Sequence, residues 1–140
     1  MQLLLSINDL TILSGVSRIA LLFVRLIFAI TFFSYGWPKL KDLKANAKDF
    51  EDMGFKPGWL FGTPIAFLET GGSLLVLLGF FLGIIPALFA IHMTTGTIWK
   101  ITSTDKPFTA WSYDLLLLSI SILLLITGPG SLNLINLLAA

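Results

Sequence analysis

The sequence of 140 residues contains no cysteine and a single histidine, His92. Without cysteine the chain cannot form disulfides, hold an iron–sulfur cluster, use a thiol nucleophile or bind zinc through thiolates. A single histidine also excludes an all-histidine metal site and a bis-histidine haem within one chain. We therefore expect no metal site and no redox cofactor on this chain alone.

Charged residues are scarce as well, at 12% of the sequence, whereas soluble domains carry about a quarter. The formal net charge is +1 and no basic stripe stands out, so nucleic acid is not an expected partner. Hydrophobic residues reach 56%, which excludes a disordered chain. This composition indicates an integral membrane protein whose first partner is the lipid bilayer.

Charges and glycine or proline breaks leave four apolar stretches, at about 19–35, 60–79, 84–99 and 112–127. As helices they would measure roughly 24–30 Å, close to a hydrocarbon core about 30 Å thick. The sequence therefore predicts an all-α integral membrane four-helix bundle. Residues 1–140 form a single transmembrane domain with short connections and one longer loop at about 38–58.

Two segments flank the first predicted span. Residues 1–17 make a poor signal peptide, because no basic residue precedes their apolar run. We interpret them as a short interfacial segment. The loop 38–58 holds five lysines and four acids and is expected to contain a short amphipathic helix near the membrane surface. It would gate a cavity, dock a soluble partner or serve only as a solvated connector.

The distribution of positive charge predicts the orientation. Loops 38–58 and 100–111 together carry seven lysines, and the opposite side has only Arg18. The positive-inside rule places these loops in the cytoplasm and both termini outside a multi-pass protein of the cell membrane. The four tryptophans fall at span ends on the predicted cytoplasmic side, as in an aromatic belt: Trp37, Trp59, Trp99 and Trp111.

One ionisable residue lies in each predicted span: Arg25, Glu69, His92 and Asp114. A charge at the bilayer centre costs roughly 2.5–3.5 kcal/mol on insertion scales, so such residues indicate a function. Counting from the span ends puts the first three at one level near the midplane and Asp114 at a shallower level. We expect all four to face one cavity as ligand-binding or proton-relay residues, with Trp37 and Trp99 nearby.

A purely structural interpretation of the same residues stays open. Arg25 paired with Glu69 or Asp114 would fix the helix register without any chemistry. His92 alone is more often a hydrogen-bonded core histidine than a ligand. Asp114 would serve equally well as a carboxylate at the N-terminus of its helix.

Three blocks of sequence occur in a characteristic order: Gly36-Trp37-Pro38-Lys39-Leu40, then Glu69-Thr70-Gly71-Gly72, then Gly128-Pro129-Gly130. This order, in four spans from Arg18 to Leu132, resembles the DoxX family of small membrane proteins. The positions that match the family pattern are Arg25, Gly36, Trp37, Lys39, Glu69, Gly71, Gly72, Gly79, Gly128 and Gly130.

The resemblance implies a four-helix membrane protein. Relatives include the small membrane subunit of thiosulfate:quinone oxidoreductases, which points to a redox assembly. A quinone would need hydrogen-bond donors in an apolar slot and a proton route to water. His92 and Arg25 would donate, Glu69 or Asp114 would relay protons, and a redox partner protein would supply electrons.

Three functions therefore stay open. The favoured one is a membrane subunit of a redox assembly, with a polar intramembrane pocket for a quinone or another lipophilic ligand. The second is a structural or assembly protein with a buried ion-pair network. The third is a small proton-coupled carrier, which would have to form a homo-oligomer to make a path. The residues leave open whether the chain itself catalyses a reaction. Without cysteine pairs it is not a four-helix enzyme that oxidises thiols with quinone.

Overall fold

The computed structural model describes residues 7–140, with the side chains of residues 12, 14–134 and 136–140. Every element in this range is helical, which confirms the predicted all-α class. The elements are α1 (Ile7–Lys41), α2 (Leu43–Asp52), α3 (Gly58–Phe67), a single-turn π-helix (Leu68–Gly72), α4 (Ser73–Leu78), α5 (Ile85–Ser103), α6 (Phe108–Thr127) and α7 (Leu134–Ala139).

Three helical stretches of the described chain are long and apolar enough to cross a bilayer: Ser14–Lys41, Gly58–Leu78 and Phe108–Thr127. The chain is thus a multi-pass membrane protein. Helix α5 has 19 residues and packs against α6, but threonines make it more polar. Thr94 and Thr97 satisfy their hydroxyls within the helix, on the carbonyls of Ala90 and Met93. A fourth span along α5 stays a prediction.

Helix α1 is longer than the predicted first span at both ends. Residues 7–17 belong to this helix and not to a separate interfacial segment; residues 1–6 lie outside the described range. Pro38 lies inside the helix. A proline removes only one backbone donor, and the helical hydrogen bonds continue with Asp42 N–H bonded to the Pro38 carbonyl at 3.2 Å. The first span was predicted to end before a loop that starts at residue 38, and this boundary was wrong.

A core of phenylalanine rings joins α1 to α5. The ring centroids of Phe28 and Phe32 lie 5.0 and 4.3 Å from that of Phe89, in edge-on and tilted arrangements that favour aromatic pairs. Within a bilayer such close packing, and not exclusion of water, holds helices together. The outer faces carry exposed apolar side chains, such as Ile126 and Leu116, that suit contact with lipid.

Helix α2 packs tightly on α3. The buried Asn46 side chain donates to the Gly62 carbonyl at 2.7 Å. A β-carbon added at Gly58 would lie 1.8 Å from the Ala47 carbonyl oxygen, so only glycine permits this approach. The predicted loop 38–58 therefore contains the expected short helix, held against the bundle at several points. The other face of α2 is exposed to solvent.

Candidate functional site

Glu69 is the centre of a buried polar cluster. Its side chain lies on the π-helix and the residue is only 3% exposed. Lys39 Nζ donates to both carboxylate oxygens, at 2.8 and 2.6 Å. His92 Nε2 lies 2.9 Å from Oε1 of the same carboxylate. One carboxylate thus joins α1 and α5 through two ionisable partners.

Local backbone geometry explains how the cluster forms. A π-helix turn contains one residue more than an α-turn, and such turns often occur at functional sites. Gly36 packs directly on this turn: an added β-carbon would lie 2.6 Å from the Glu69 β-carbon. Lys39 follows Gly36 by three residues on α1, so it shares the same helix face and reaches the carboxylate.

A second ion pair lies on the same side of α5. Lys100 Nζ is 2.7 Å from Asp114 Oδ2, and the pair connects α5 with α6. Lys100 follows His92 by eight residues, which is close to two helical turns. Gly96 lies between them, and an added β-carbon there would be 3.9 Å from Asp114 Oδ2. One face of α5 therefore carries two side chains that pair with carboxylates, His92 and Lys100, and there is open space between them at Gly96.

Both ion pairs face one cavity of about 740 Å³. Its walls come from α1, α2, α3, α5 and α6 and are mostly apolar and aromatic, with Phe32, Phe61 and Leu117 among them. Helix α2 bounds the cavity through Asn46 and Phe50. The structure thus brings together three of the four predicted ionisable residues: Glu69, His92 and Asp114 all line this cavity.

The two tryptophans predicted at this site differ. Trp99 lines the cavity, but its ring N–H donates to the Met53 carbonyl at 3.0 Å and ties the end of α2 to α5. Trp37 is 43% exposed and stacks on Phe33 with centroids 5.6 Å apart. Lys41 Nζ lies over the Trp37 ring, 5.2 Å from the ring centroid. Trp37 is not among the residues that line the cavity, contrary to the prediction.

Arg25 is also separate from the cavity. Its guanidinium donates to the Leu132 carbonyl and pairs with neither Glu69 nor Asp114. The expected common level with Glu69 was wrong, because depth was counted from Tyr35 although α1 continues to Lys41. Lys39, fourteen residues or about 21 Å further along the helix, takes the place expected for Arg25.

The DoxX family model matches residues 20–103, which is more than half of the chain. The chain belongs to the DoxX family. Neither the curated proteins nor the solved structures give a match to it. The match includes Lys39, Glu69 and His92, whereas Asp114 and the Gly128-Pro129-Gly130 block lie beyond it.

The glycines of the DoxX motif have different roles. Gly36 and Gly72 are packing contacts, the latter with Leu68 and Ile85 at 3.0 and 3.3 Å from an added β-carbon. Gly79 has a φ of +84° and ends α4 in the left-handed region that favours glycine. These residues shape the bundle around the cluster and take no direct part in it.

The lysines of the two ion pairs in this DoxX protein were not predicted as site residues. Lys39 appeared only as a motif residue, and Lys100 only as a loop charge. Both lie near span ends, where a long side chain can extend back into the bundle while its stem packs on apolar surface. The spacing of Gly36 and Lys39 on one helix face was the available signal. Among the described residues, no three His, Asp or Glu side chains cluster as a metal site would require.

Proposed function

We propose that this DoxX protein is a membrane subunit of a redox assembly and binds a quinone, or another lipophilic carbonyl compound, in the cavity. One observation carries the proposal. A mostly apolar cavity inside the bundle ends on a carboxylate held between a lysine and a histidine. Its volume of about 740 Å³ lies within the roughly 300–1,000 Å³ typical of small-molecule sites.

The polar wall suits the carbonyl of a quinone headgroup. A lysine ammonium has three N–H donors, and two of those of Lys39 point at Glu69, which leaves one for a ligand. Protonated His92 would donate from both ring nitrogens, one to Glu69 and one to the ligand. The aromatic walls would hold the ring, and the lipid-facing side would receive its tail.

The same groups can handle protons. Reduction of a quinone to a quinol takes up two electrons and two protons. In this proposal protons would pass through His92 with Glu69, and through Asp114 beside Lys100, which are the two ion pairs at the cavity wall. The lysines are about one-third exposed, so they extend from the cavity towards water. Electrons would come from a partner redox protein, because this chain lacks the cysteines and histidines to hold a redox centre.

Quenching of tryptophan fluorescence tests this proposal, because Trp99 lines the cavity. Purified protein would be titrated with decyl-ubiquinone, and one-to-one binding confirmed by native mass spectrometry. We expect Glu69→Gln and Gly96→Leu to weaken binding by about tenfold or more, the first by losing the ion pairs and the second by filling the cavity. Asp105→Asn, at an exposed carboxylate, is the matched control and should bind like wild type.

The structural alternative has an observation of its own. Both oxygens of Glu69 are already paired, which is what a register-fixing network requires. In that case wild type would bind no quinone, and loss of stability would be the only effect of Glu69→Gln. Folded Gly96→Leu protein that binds quinone like wild type would also contradict the proposed pocket.

A further inference from the structure

Arg25 is a second buried polar centre, apart from the cavity. The residue is 1% exposed, and its Nη2 donates to the Leu132 carbonyl. Its Nε and Nη1 are buried and have no hydrogen-bond partner among the described residues. A guanidinium keeps its charge at every physiological pH, and unpaired buried N–H groups on a charge are costly. The described part of the chain leaves this charge uncompensated.

Neighbouring polar groups are already occupied. The ion pairs between described side chains use two carboxylates, Glu69 and Asp114. Both carboxylates and their partners lie at the cavity of about 740 Å³. Asn133 borders Arg25, but its oxygen accepts from the Asn136 N–H and its amide donates to the Gly130 carbonyl. No described carboxylate pairs with the guanidinium, which leaves its counter-charge to be supplied by another molecule in our proposal.

Arg25, which has no ionic partner among the described side chains, borders a small cavity of about 180 Å³. We call this cavity the Arg25 pocket. The rest of its lining is Leu22, Leu77, Leu78, Leu132, Asn133, Leu134 and Leu137. A space of this size admits one oxyanion group. Its leucine walls give no hydrogen bonds to a free hydrated ion, but they fit hydrocarbon chains attached to the oxyanion.

The position of the pocket indicates where that ligand comes from. An added β-carbon at Gly79 would lie 2.8 Å from Arg25 Nη1, so the guanidinium is level with the end of α4. The chain is also non-helical at Gly130–Asn133, beside the same pocket. Non-helical backbone does not face hydrocarbon, so this end of the bundle lies among lipid headgroups.

We propose that the Arg25 pocket binds the phosphate of an anionic membrane lipid, with the leucines against its acyl chains. Arginine is well suited to phosphate, because its N–H groups make charge-assisted hydrogen bonds to the oxygens. The ligand compensates the charge of the buried guanidinium and links α1 to the segment before α7. This site is independent of the Glu69 cavity and of any redox function.

Native mass spectrometry of the detergent-solubilised protein tests the proposal with three probes. Dioleoylphosphatidylglycerol carries both phosphate and chains, dioleoylglycerol carries only the chains, and inorganic phosphate carries only the oxyanion. We expect wild type to retain one phosphatidylglycerol, to retain no dioleoylglycerol, and to keep the lipid in excess phosphate. Arg25→Gln should bind phosphatidylglycerol about tenfold more weakly or worse, because it loses the charge-assisted hydrogen bonds.

Arg18→Gln is the matched control, since Arg18 is an exposed arginine on the same helix and should leave retention unchanged. Leu134→Trp provides a second test if Arg25→Gln fails to fold, because it fills the Arg25 pocket and keeps the charge. Retention like wild type in folded Arg25→Gln or Leu134→Trp would overturn the proposal. Displacement of the lipid by inorganic phosphate would overturn it too, since the site would then be one for a soluble anion.

Discussion

Gly36 and Glu69 lie in such close contact that an added β-carbon at Gly36 would be 2.6 Å from the Glu69 β-carbon. The same atom would be 2.7 Å from the backbone nitrogen of Thr70, which cannot move without disturbing the π-helix. The contact therefore sets both the distance between α1 and the π-helix and the reach of Lys39 to the carboxylate. DoxX motif residues from two distant parts of the chain meet at this point.

Gly36→Ala should lower the stability of the fold. Overpacking of this kind typically costs about 1–3 kcal/mol, and we expect a loss in this range, measured by unfolding in mild detergent. Gly71→Ala is the matched control from the same motif. An added β-carbon at Gly71 meets nothing within 4 Å, so its stability should stay within about 0.5 kcal/mol of wild type. Equal stability of the two variants would contradict the close contact.

Lys39→Met should destabilise the bundle and couple to Glu69. The buried carboxylate would keep only His92 as a partner, at an expected cost of about 1–3 kcal/mol. In the double variant with Glu69→Gln the two losses should not add, with a coupling of about 0.5–3 kcal/mol. A double-mutant cycle of unfolding free energies measures this coupling.

The control for that cycle is Lys41→Met. Lys41 is also a lysine near the end of α1, but it is exposed and lies over the Trp37 ring. It should show no coupling to Glu69→Gln. Additive losses for Lys39→Met and Glu69→Gln would mean that the ion pair contributes nothing to the fold.

Sequence reasoning reached the cavity but not its complete polar wall. Counting residues from helix ends was enough to place Glu69, His92 and Asp114 together, because α5 and the second span run nearly as predicted. The same counting failed for Arg25, since the helix passes through Pro38. The π-helix has no signal in the hydrophobic pattern, and the partners of Glu69 depend on that one turn.

Asn46→Ala should loosen α2 without unfolding the bundle. The substitution removes the buried hydrogen bond to the Gly62 carbonyl and the packing of the amide group, at a cost of about 1–3 kcal/mol. Amide hydrogen exchange in residues 43–52 should then become about tenfold faster or more, while α5 and α6 keep their protection. Lys48→Ala, at an exposed position on the same helix, should leave exchange near wild type. Unchanged exchange in Asn46→Ala would show that other contacts suffice to hold α2.

Single cysteines should reveal the orientation and the crossing of α5. The chain has no native cysteine, so each introduced thiol reports one site. Gly83, Lys106 and Ser131 are exposed, and an added β-carbon at Gly83 meets nothing within 4 Å. The positive-inside rule predicts that a membrane-impermeant maleimide labels Gly83→Cys and Ser131→Cys in intact cells, and labels Lys106→Cys only after permeabilisation.

Each possible labelling pattern has a distinct structural meaning. Gly83 precedes α5 and Lys106 follows it, so labelling from opposite sides would establish α5 as the fourth span. The inverse pattern, with Lys106→Cys alone labelled in intact cells, would retain four spans and reverse the orientation. Labelling of Gly83→Cys and Lys106→Cys from the same side would contradict the four-span bundle. Helix α5, with its threonines and His92, would then enter and leave the membrane on one side, and the Glu69 cluster would lie near that surface.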